Sequence, residues 1–466
     1  MKNVIAFFIS LIPLMVCAQQ GWDHSSQFDY AWINLGNEGF TAGTAEYISC
    51  DFSPDGELYV AYRDSVNNYK ASVMKFDGSN WVYIGGPGFT PSQAQYISLA
   101  FNPLEGQPYI AFNDFANTGK ATVMKFDVTS WVNVGNPGFT AGYAIFTSLA
   151  FNPADMKPYV ACIDLDNDQK ATVMRFDGVN WVNVGNTGFS TGMIDCINLA
   201  FSPANEPYVA YVDYAYSYKV TVKKFNGLQW INVGLDGFSP SPAVEVSFAF
   251  SPTDGQPCVA YANRVDNSRQ LSLMKFDGAT WRLVGNENFS EGLALSVSLA
   301  FSPFDGSPFV AFGDVSGTNS GRASVMYFDG VSWRYLGMSR FSAGLAFLTR
   351  LAFSDAGQTY VAFEDYANQR KATVMHFDAP AGIPKRDAVT IPVFPNPVTN
   401  VLTIDLLNYI GFETSLKIED INGILLFETL TNKKIITIDV SKYPSGIYFV
   451  RTQNNYSVYI NRFFKN

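Results

Sequence analysis

Residues 131–180 read WVNVGNPGFTAGYAIFTSLAFNPADMKPYVACIDLDNDQKATVMRFDGVN, and closely similar stretches precede and follow them. The tryptophan that opens the stretch recurs at steps of 49, 50, 50, 49, 51 and 52 residues. A period of this length indicates a stacked-repeat architecture, in which each repeat buries its apolar surface against its neighbours. The recurring residues are Trp32, Trp81, Trp131, Trp181, Trp230, Trp281 and Trp333.

Each repeat contains four strand-like runs separated by turn residues. In the third complete copy these runs are residues 146–151, 158–164, 170–177 and 181–185, and we name them a, b, c and d. The a–b and c–d connections are rich in Pro, Asp, Asn and Gly, which tolerate the backbone angles of tight turns. A four-stranded sheet that is apolar on both faces must be packed between copies of itself. The sequence therefore predicts an all-β fold, a β-propeller with four-stranded blades.

The number of blades follows from counting the runs. Seven d runs begin at the seven tryptophans, and seven a–b–c sets end with residues 348–378. The first d run, residues 32–36, precedes every a run, and the last a–b–c set has no d run after it. We therefore predict a seven-bladed propeller over residues 19–378, with the N-terminal strand closing the last blade and so protecting the sheet edges.

The first 18 residues have the pattern of a secretory signal peptide. A short basic start is followed by an apolar run over residues 4–16 and by a small residue, Ala18, at the expected cleavage site. A lipoprotein reading, with Cys17 as the modified residue, is the weaker alternative. The apolar run is too short for a comfortable transmembrane helix, and no other segment has that character, so no transmembrane segment is predicted.

After residue 378 the repeat pattern stops. Residues 379–388 (APAGIPKRDA) read as a linker, and residues 389–466 show period-2 strands at hairpin spacing, which predicts a small Ig-like β-sandwich. This segment carries FPNP at 394–397, IEDING at 418–423 and DVSKYPSGIYFVR at 439–451. These three motifs, in this order, resemble the C-terminal sorting domain of type IX secretion cargo.

The resemblance implies a route of export. It implies that the chain crosses the inner membrane by its signal peptide, and that residues 389–466 engage the type IX secretion machinery at the outer membrane. The propeller would then be the cargo, secreted or held at the cell surface.

Composition and motifs argue against several classes of function. The formal net charge is −10 with only two histidines, and an acidic surface argues against a nucleic-acid partner. The sequence has no nucleophile elbow, zinc-spaced His/Glu set or phosphate-cradling glycine loop, so we predict no cofactor, no metal and no enzymatic activity.

The cysteines replace apolar residues of the repeat and are expected to fill the core, with a Cys162–Cys196 bridge as the alternative.

Comparison of the repeats with each other separates structural from functional candidates. An acidic column ends strand b and a basic column begins strand c. They are either a ring of ligand groups or ion pairs across the b–c hairpin, and we favour ion pairs because blade 5 changes both members, to Asn263 and Gln270. A Ser/Thr column in the d–a loops favours a structural turn over seven ligand pockets. The run Asp164–Asp168 leaves a calcium site as a minor alternative.

Functional residues are expected where the repeats disagree, on the face formed by the b–c and d–a loops. We predict a non-catalytic binding module for a glycan or protein ligand, and the alternative is a secreted polysaccharide-active hydrolase or lyase. The candidate ligand-binding residues are Arg63, Asn113, Tyr214, Tyr216, Tyr218 and Glu364.

Overall fold

A computed structural model describes residues 31–264, 269–316, 321–378, 392–406, 414–420, 424–453 and 458–466. These residues separate into two compact units, 31–378 and 392–466. The predicted signal peptide and linker lie outside the described residues.

The first unit consists of seven antiparallel sheets of four strands each, which confirms the seven-bladed propeller. In six blades the strands follow the order a–b–c–d along the chain. In blade 7 the N-terminal strand takes the place of strand d and pairs with strand c, with Trp32 opposite Phe377. The predicted closure of the ring is therefore confirmed.

The strand bounds repeat closely from blade to blade. Strands a are Ala45–Phe52, Ala94–Phe101, Ala144–Phe151, Ile194–Phe201, Ala243–Phe250, Ala294–Phe301 and Ala346–Phe353. Strands b are Leu58–Asp64, Pro108–Asp114, Pro158–Asp164, Pro207–Asp213, Pro257–Asn263, Pro308–Asp314 and Thr359–Asp365. Strands c are Lys70–Phe76, Lys120–Phe126, Lys170–Phe176, Lys219–Phe225, Leu271–Phe276, Arg322–Phe328 and Lys371–Asp378. Strands d are Trp81–Tyr83, Trp131–Asn133, Trp181–Asn183, Trp230–Asn232, Trp281–Leu283, Trp333–Tyr335 and Ala31–Asn34.

The repeated tryptophans join neighbouring blades. The indole N–H of Trp181 donates to the carbonyl oxygen of Val134 in the preceding blade at 2.7 Å, and its ring stacks on Phe139 at 4.1 Å. Trp32, in the N-terminal strand that completes blade 7, makes the same two interactions with blade 6, with the carbonyl oxygen of Leu336 at 3.0 Å and the ring of Phe341 at 4.0 Å. Stacked aromatic pairs of this kind stabilise beyond their buried area. The N-terminal strand is therefore attached to the preceding blade in the same way as strand d of blade 3.

A glycine follows each strand d for a steric reason. Gly135 has a φ of +72°, and a Cβ atom at this position would lie 2.8 Å from the ring of Phe176. Glycine alone allows both this left-handed backbone and the close approach of the ring.

Among the residues that the structure describes, short 3-10 turns follow strand b in four blades, at Phe115–Asn117, Leu165–Asn167, Tyr214–Tyr216 and Tyr366–Asn368. In the described part of the chain no helix is long and apolar enough to cross a membrane.

Cys50, Cys162, Cys196 and Cys258 are all free thiols, so the alternative of a Cys162–Cys196 bridge is wrong.

The second unit is a small sandwich of two sheets. One contains Val393–Phe394, Val401–Asp405 and Ile435–Asp439, and the other contains Thr414–Asp420, Leu425–Thr431, Gly446–Gln453 and Val458–Lys465. Its core includes Leu402, Leu416, Ile438, Val450 and Phe463. The alternation of buried and outward residues follows the period-2 pattern, and the predicted sandwich is confirmed.

Candidate functional site

The b–c hairpins and d–a loops lie together at one end of the blades, which we call the loop face. Backbone hydrogen bonds connect them: the amide of Ala144, at the start of strand a, donates to Gly119 of the preceding b–c hairpin at 2.9 Å, and Phe139 of the d–a loop donates to Ala121 at 2.9 Å. The a–b and c–d turns lie at the opposite end, which we call the turn face.

The acidic column at the end of strand b is buried and used within each blade. In blade 2, Asp114 is 1% exposed and caps the 3-10 turn by accepting from the amide of Ala116 at 2.9 Å. Its other oxygen accepts from Asn117 Nδ2 at 2.7 Å and Thr122 Oγ1 at 2.9 Å. The same three bonds form in blades 1, 3 and 7, around Asp64, Asp164 and Asp365.

The predicted ion pairs with the basic column do not form. Asp64 and Lys70 are opposite each other in the strand register, as expected, yet within the described residues no lysine or arginine of this column has a carboxylate oxygen of the acidic column within 4.0 Å. The aspartate side chain instead turns back into its own hairpin, where backbone amides and an asparagine need an acceptor. The column is structural, but its partners are not the lysines.

The hydroxyl column of the d–a loops is also used internally. Thr140 accepts from the amide of Ala121 at 3.0 Å and donates to the carbonyl oxygen of Gly142 at 2.8 Å. Ser190 and Ser290 repeat this pattern in other blades. The prediction of a structural turn is confirmed.

Four residues from columns that differ between blades form a charged cluster at the seam between blades 7 and 1. Arg63 Nη1 donates to Glu46 Oε2 at 2.6 Å, and Arg370 Nη2 donates to Glu46 Oε1 at 3.3 Å. Arg370 Nε also donates to Glu364 Oε1 at 2.5 Å. We call Glu46, Arg63, Glu364 and Arg370 the seam cluster. It unites two of the predicted site residues through two that sequence reasoning missed.

Two exposed tyrosines flank the seam cluster. The guanidinium of Arg63 lies 4.3 Å from the ring centre of Tyr69, and that of Arg370 lies 5.4 Å from Tyr366. Tyr69 and Tyr366 are 40% and 41% exposed, so their rings face solvent beside the charges. Burial raises the pKa of Glu364, while its hydrogen bond to Arg370 acts in the opposite direction.

Asn113 has a different position from the other candidates. It is fully buried, and its Nδ2 donates to the carbonyl oxygens of Gly119 at 2.6 Å and Ala144 at 2.7 Å. It therefore ties blade 2 to the first residue of strand a in blade 3 and does not reach the surface of the loop face.

The three tyrosines of blade 4 divide into a pair and a single residue. The rings of Tyr214 and Tyr218 are 4.5 Å apart, and the guanidinium of Arg264 lies 4.8 Å from the ring centre of Tyr218. Tyr216 donates its hydroxyl to Asp236 Oδ2 at 3.2 Å, and the charge of Asp236 raises the pKa of this tyrosine. The loop face thus has a second place where arginine stacks on exposed tyrosine.

Blade 4 also departs from the repeat in its interior. Lys223 occupies a strand c column that holds methionine in the other six blades, and its Nζ lies 3.7 Å from Asp236 Oδ1. Tyr216 replaces the asparagine that binds the buried aspartate in blades 1, 2, 3 and 7, and Asp213 Oδ2 has no hydrogen-bond partner. Burial accordingly raises the pKa of Asp213.

The two units define an exported cargo protein, a seven-bladed propeller followed by a sorting domain. Residues 392–466 match the family model described as the secretion system C-terminal sorting domain. This domain directs type IX export to the cell surface or the extracellular space. No curated protein matches the sequence.

Several solved structures have a related form. They include PorZ, a surface component of the type IX secretion system of Porphyromonas gingivalis, with 14% identity over 91% of this chain and a TM-score of 0.47. The extracellular domain of a hybrid two-component system from B. thetaiotaomicron has 10% identity over 94% of this chain and a TM-score of 0.47. An ulvan lyase has 9% identity over 75% of this chain and 96% of its own length, with a TM-score of 0.45. The chain spans 60% of the PorZ structure and 58% of the two-component domain.

Proposed function

We propose that the propeller is a non-catalytic binding module that is exported to the cell surface or beyond, and that its loop face binds a carbohydrate chain at the seam cluster. The observation that carries the proposal is the arrangement of two arginines, two glutamates and two exposed tyrosines where the repeat pattern changes. The repeated polar residues of the same face are already engaged in hydrogen bonds within the blades.

The chemistry of the seam cluster suits a neutral polar ligand. Its two positive and two negative charges balance, and each arginine is held in place by a carboxylate, so little side-chain freedom remains to be lost on binding. Arg63 is fixed further, because its Nη2 donates to Gln93 Oε1 at 3.0 Å. A sugar hydroxyl can donate to a glutamate oxygen and accept from a guanidinium, while an apolar ring face packs on tyrosine.

The proposal is tested by a glycan array with the full secreted chain, followed by a reducing-sugar release assay on the glycan that binds. R63A is expected to weaken binding at least tenfold, since it removes both the charge and the stacking partner of Tyr69. R282A is the matched control, because the Arg282 side chain is 71% exposed and pairs with Asp277 of the c–d turn, on the turn face.

Three results would contradict the proposal. Release of reducing sugar would favour the polysaccharide-active enzyme instead. Equal binding by R63A and the wild type would exclude the seam cluster as the site. Binding to a protein partner, with no glycan retained, would assign the loop face to a different ligand class.

A further inference from the structure

A polar cleft lies on the turn face between blades 3 and 4, away from the seam cluster. It has a volume of about 520 Å³, which is in the range of small-molecule sites. Its lining includes Asn152, Tyr159, Arg175 and Asn183 of blade 3 and Glu206 and Asn226 of blade 4.

The cation at the end of strand c is normally neutralised within its own blade. In blades 1, 2, 4 and 5 a lysine at this position pairs with a carboxylate of the a–b turn. In blades 1, 2 and 4 it also lies 5.7–6.0 Å from the centre of a tyrosine ring of its own strand b. The pairs are Lys75–Glu57 at 2.7 Å, Lys125–Glu105 at 3.5 Å, Lys224–Glu206 at 3.0 Å and Lys275–Asp254 at 2.6 Å.

Blade 3 keeps the cation and loses the ion pair. Lys157 stands where blades 1 and 4 have glutamate, and Asp155 aligns with Asp254, which binds the lysine of blade 5. Across the described ranges, no carboxylate oxygen lies within 4.0 Å of the Arg175 guanidinium, whereas Glu206 across the cleft is bound by Lys224. Lys157 Nζ donates to the Asp177 carbonyl oxygen at 3.0 Å, and the Asp177 carboxylate accepts from the amides of Val179 and Asn180 at 2.8 Å within its own turn.

The amides of the cleft add hydrogen-bond donors. Asn152 Oδ1 accepts from the amide of Ala154 at 2.8 Å, and Asn226 Oδ1 accepts from Leu228 at 3.0 Å and Gln229 at 2.9 Å. Because the Oδ1 atoms of Asn152 and Asn226 already accept these bonds, the NH₂ group of each side chain is the part that can bind a ligand. Together with the five donors of the Arg175 guanidinium, the cleft therefore has a surplus of hydrogen-bond donors.

We propose that this cleft binds an acidic carbohydrate, with a carboxylate or sulfate group of the sugar held by Arg175. The planar guanidinium fork matches such oxyanions with two parallel hydrogen bonds. The asparagine NH₂ groups would donate hydrogen bonds to neighbouring sugar oxygens. The site extends the carbohydrate-binding function proposed above to a second location and names its ligand class, but it depends on none of the seam-cluster residues.

The test is titration calorimetry of the full chain at about 150 mM salt, where long-range attraction between surface charges is largely screened. The probes are an oligogalacturonate, a sulfated galactan oligosaccharide and a neutral galactan oligosaccharide of equal length. We expect binding of one or both acidic probes and at least tenfold weaker binding of the neutral one. Which acidic probe binds identifies the oxyanion.

Two variants address Arg175 itself. K157E restores the glutamate of blades 1 and 4, so that Arg175 is neutralised within its own blade, and R175Q removes the charge. Each should weaken binding of the acidic probe at least tenfold, and K157E should melt no earlier than the wild type. K125Q, which removes a cation that is already paired, is the matched control and should change nothing.

The proposal is overturned if the neutral probe binds as well as the acidic ones, if K157E and R175Q keep the wild-type affinity, or if K125Q loses as much as they do. R63A separates this site from the loop face. If R63A still binds the acidic probe, the probe is bound in the cleft. If R63A loses this binding and R175Q keeps it, the probe is bound at the seam cluster and the proposal is refuted.

Discussion

The acidic column can be tested in blade 2, where the geometry around Asp114 is complete. Substitution D114A removes the acceptor of three hydrogen bonds and leaves the donors of Ala116, Asn117 and Thr122 without it in a buried hairpin. A hydrogen bond to a charged group contributes about 1.5–3 kcal/mol, and bonds that share one acceptor are not additive. We expect D114A to lower the free energy of unfolding by about 3–5 kcal/mol.

Two further variants distinguish the hydrogen-bond network from an ion pair. D114N keeps the shape and one oxygen but turns an NH₂ group toward Asn117 Nδ2, so it should cost about 1–3 kcal/mol. K120A removes the lysine opposite Asp114 in the strand register. Because Lys120 makes no ion pair with Asp114, K120A should change the stability by less than about 0.5 kcal/mol.

The assay is urea unfolding monitored by tryptophan fluorescence. The wild type, D114A, D114N and K120A are measured side by side. If K120A costs as much as D114A, the hairpin is held by an ion pair and the network explanation is wrong. If D114A unfolds at the wild-type urea concentration but no longer binds glycan, the acidic column is a ligand ring after all.

Three other substitutions test separate parts of the propeller. W181F removes the indole N–H that donates to Val134 across a blade seam and should cost about 1–3 kcal/mol in the same unfolding assay. Burial raises the pKa of Asp51 to about 7, so the folded chain holds this proton more tightly than the unfolded chain and stability falls as pH rises from about 4 to 7. D51A, which installs the alanine of the other six blades, should flatten that fall and raise stability at pH 8 by about 1–3 kcal/mol, measured by unfolding across pH; a fall that persists unchanged would contradict it. K223M should cost about 1–3 kcal/mol because it leaves Asp236 without its cation, and K223M/D236N should recover most of the loss; no recovery in the double variant would mean that the two residues are not coupled.

The repeat made the fold predictable from the sequence. Seven tryptophans at nearly equal steps specify the blades, and the unmatched first strand specifies how the ring closes. The tight turns and the alternation of apolar residues then place each strand, because a propeller leaves few other ways to bury sheets that are apolar on both faces.

Side-chain partners were harder to predict, because register determines which residues are opposite but not where their side chains turn. Asp64 and Lys70 are opposite each other, yet the aspartate is also the last residue before a turn whose amides need an acceptor. A usable signal was present in the sequence: asparagine follows the aspartate by three residues in four blades, and blade 5 reverses the order to Asn263 and Asp266.

The seam cluster could not be assembled from the sequence, because its members come from opposite ends of the repeat region. Glu46 and Arg370 meet only because the ring closes between blades 7 and 1. Both occupy columns that differ from blade to blade, as Arg63 and Glu364 do, so a comparison of every variable column would have included them among the candidates.

The central claim is that repeated residues build the blades while the residues that break the repeat bind the ligand. The most direct test is the affinity of folded R63A and D114N for the glycan that the wild type selects. We predict that R63A loses affinity at least tenfold while it remains folded at the assay temperature, and that D114N unfolds earlier than the wild type and keeps its affinity. Loss of binding in folded D114N, with R63A binding normally, would contradict the account.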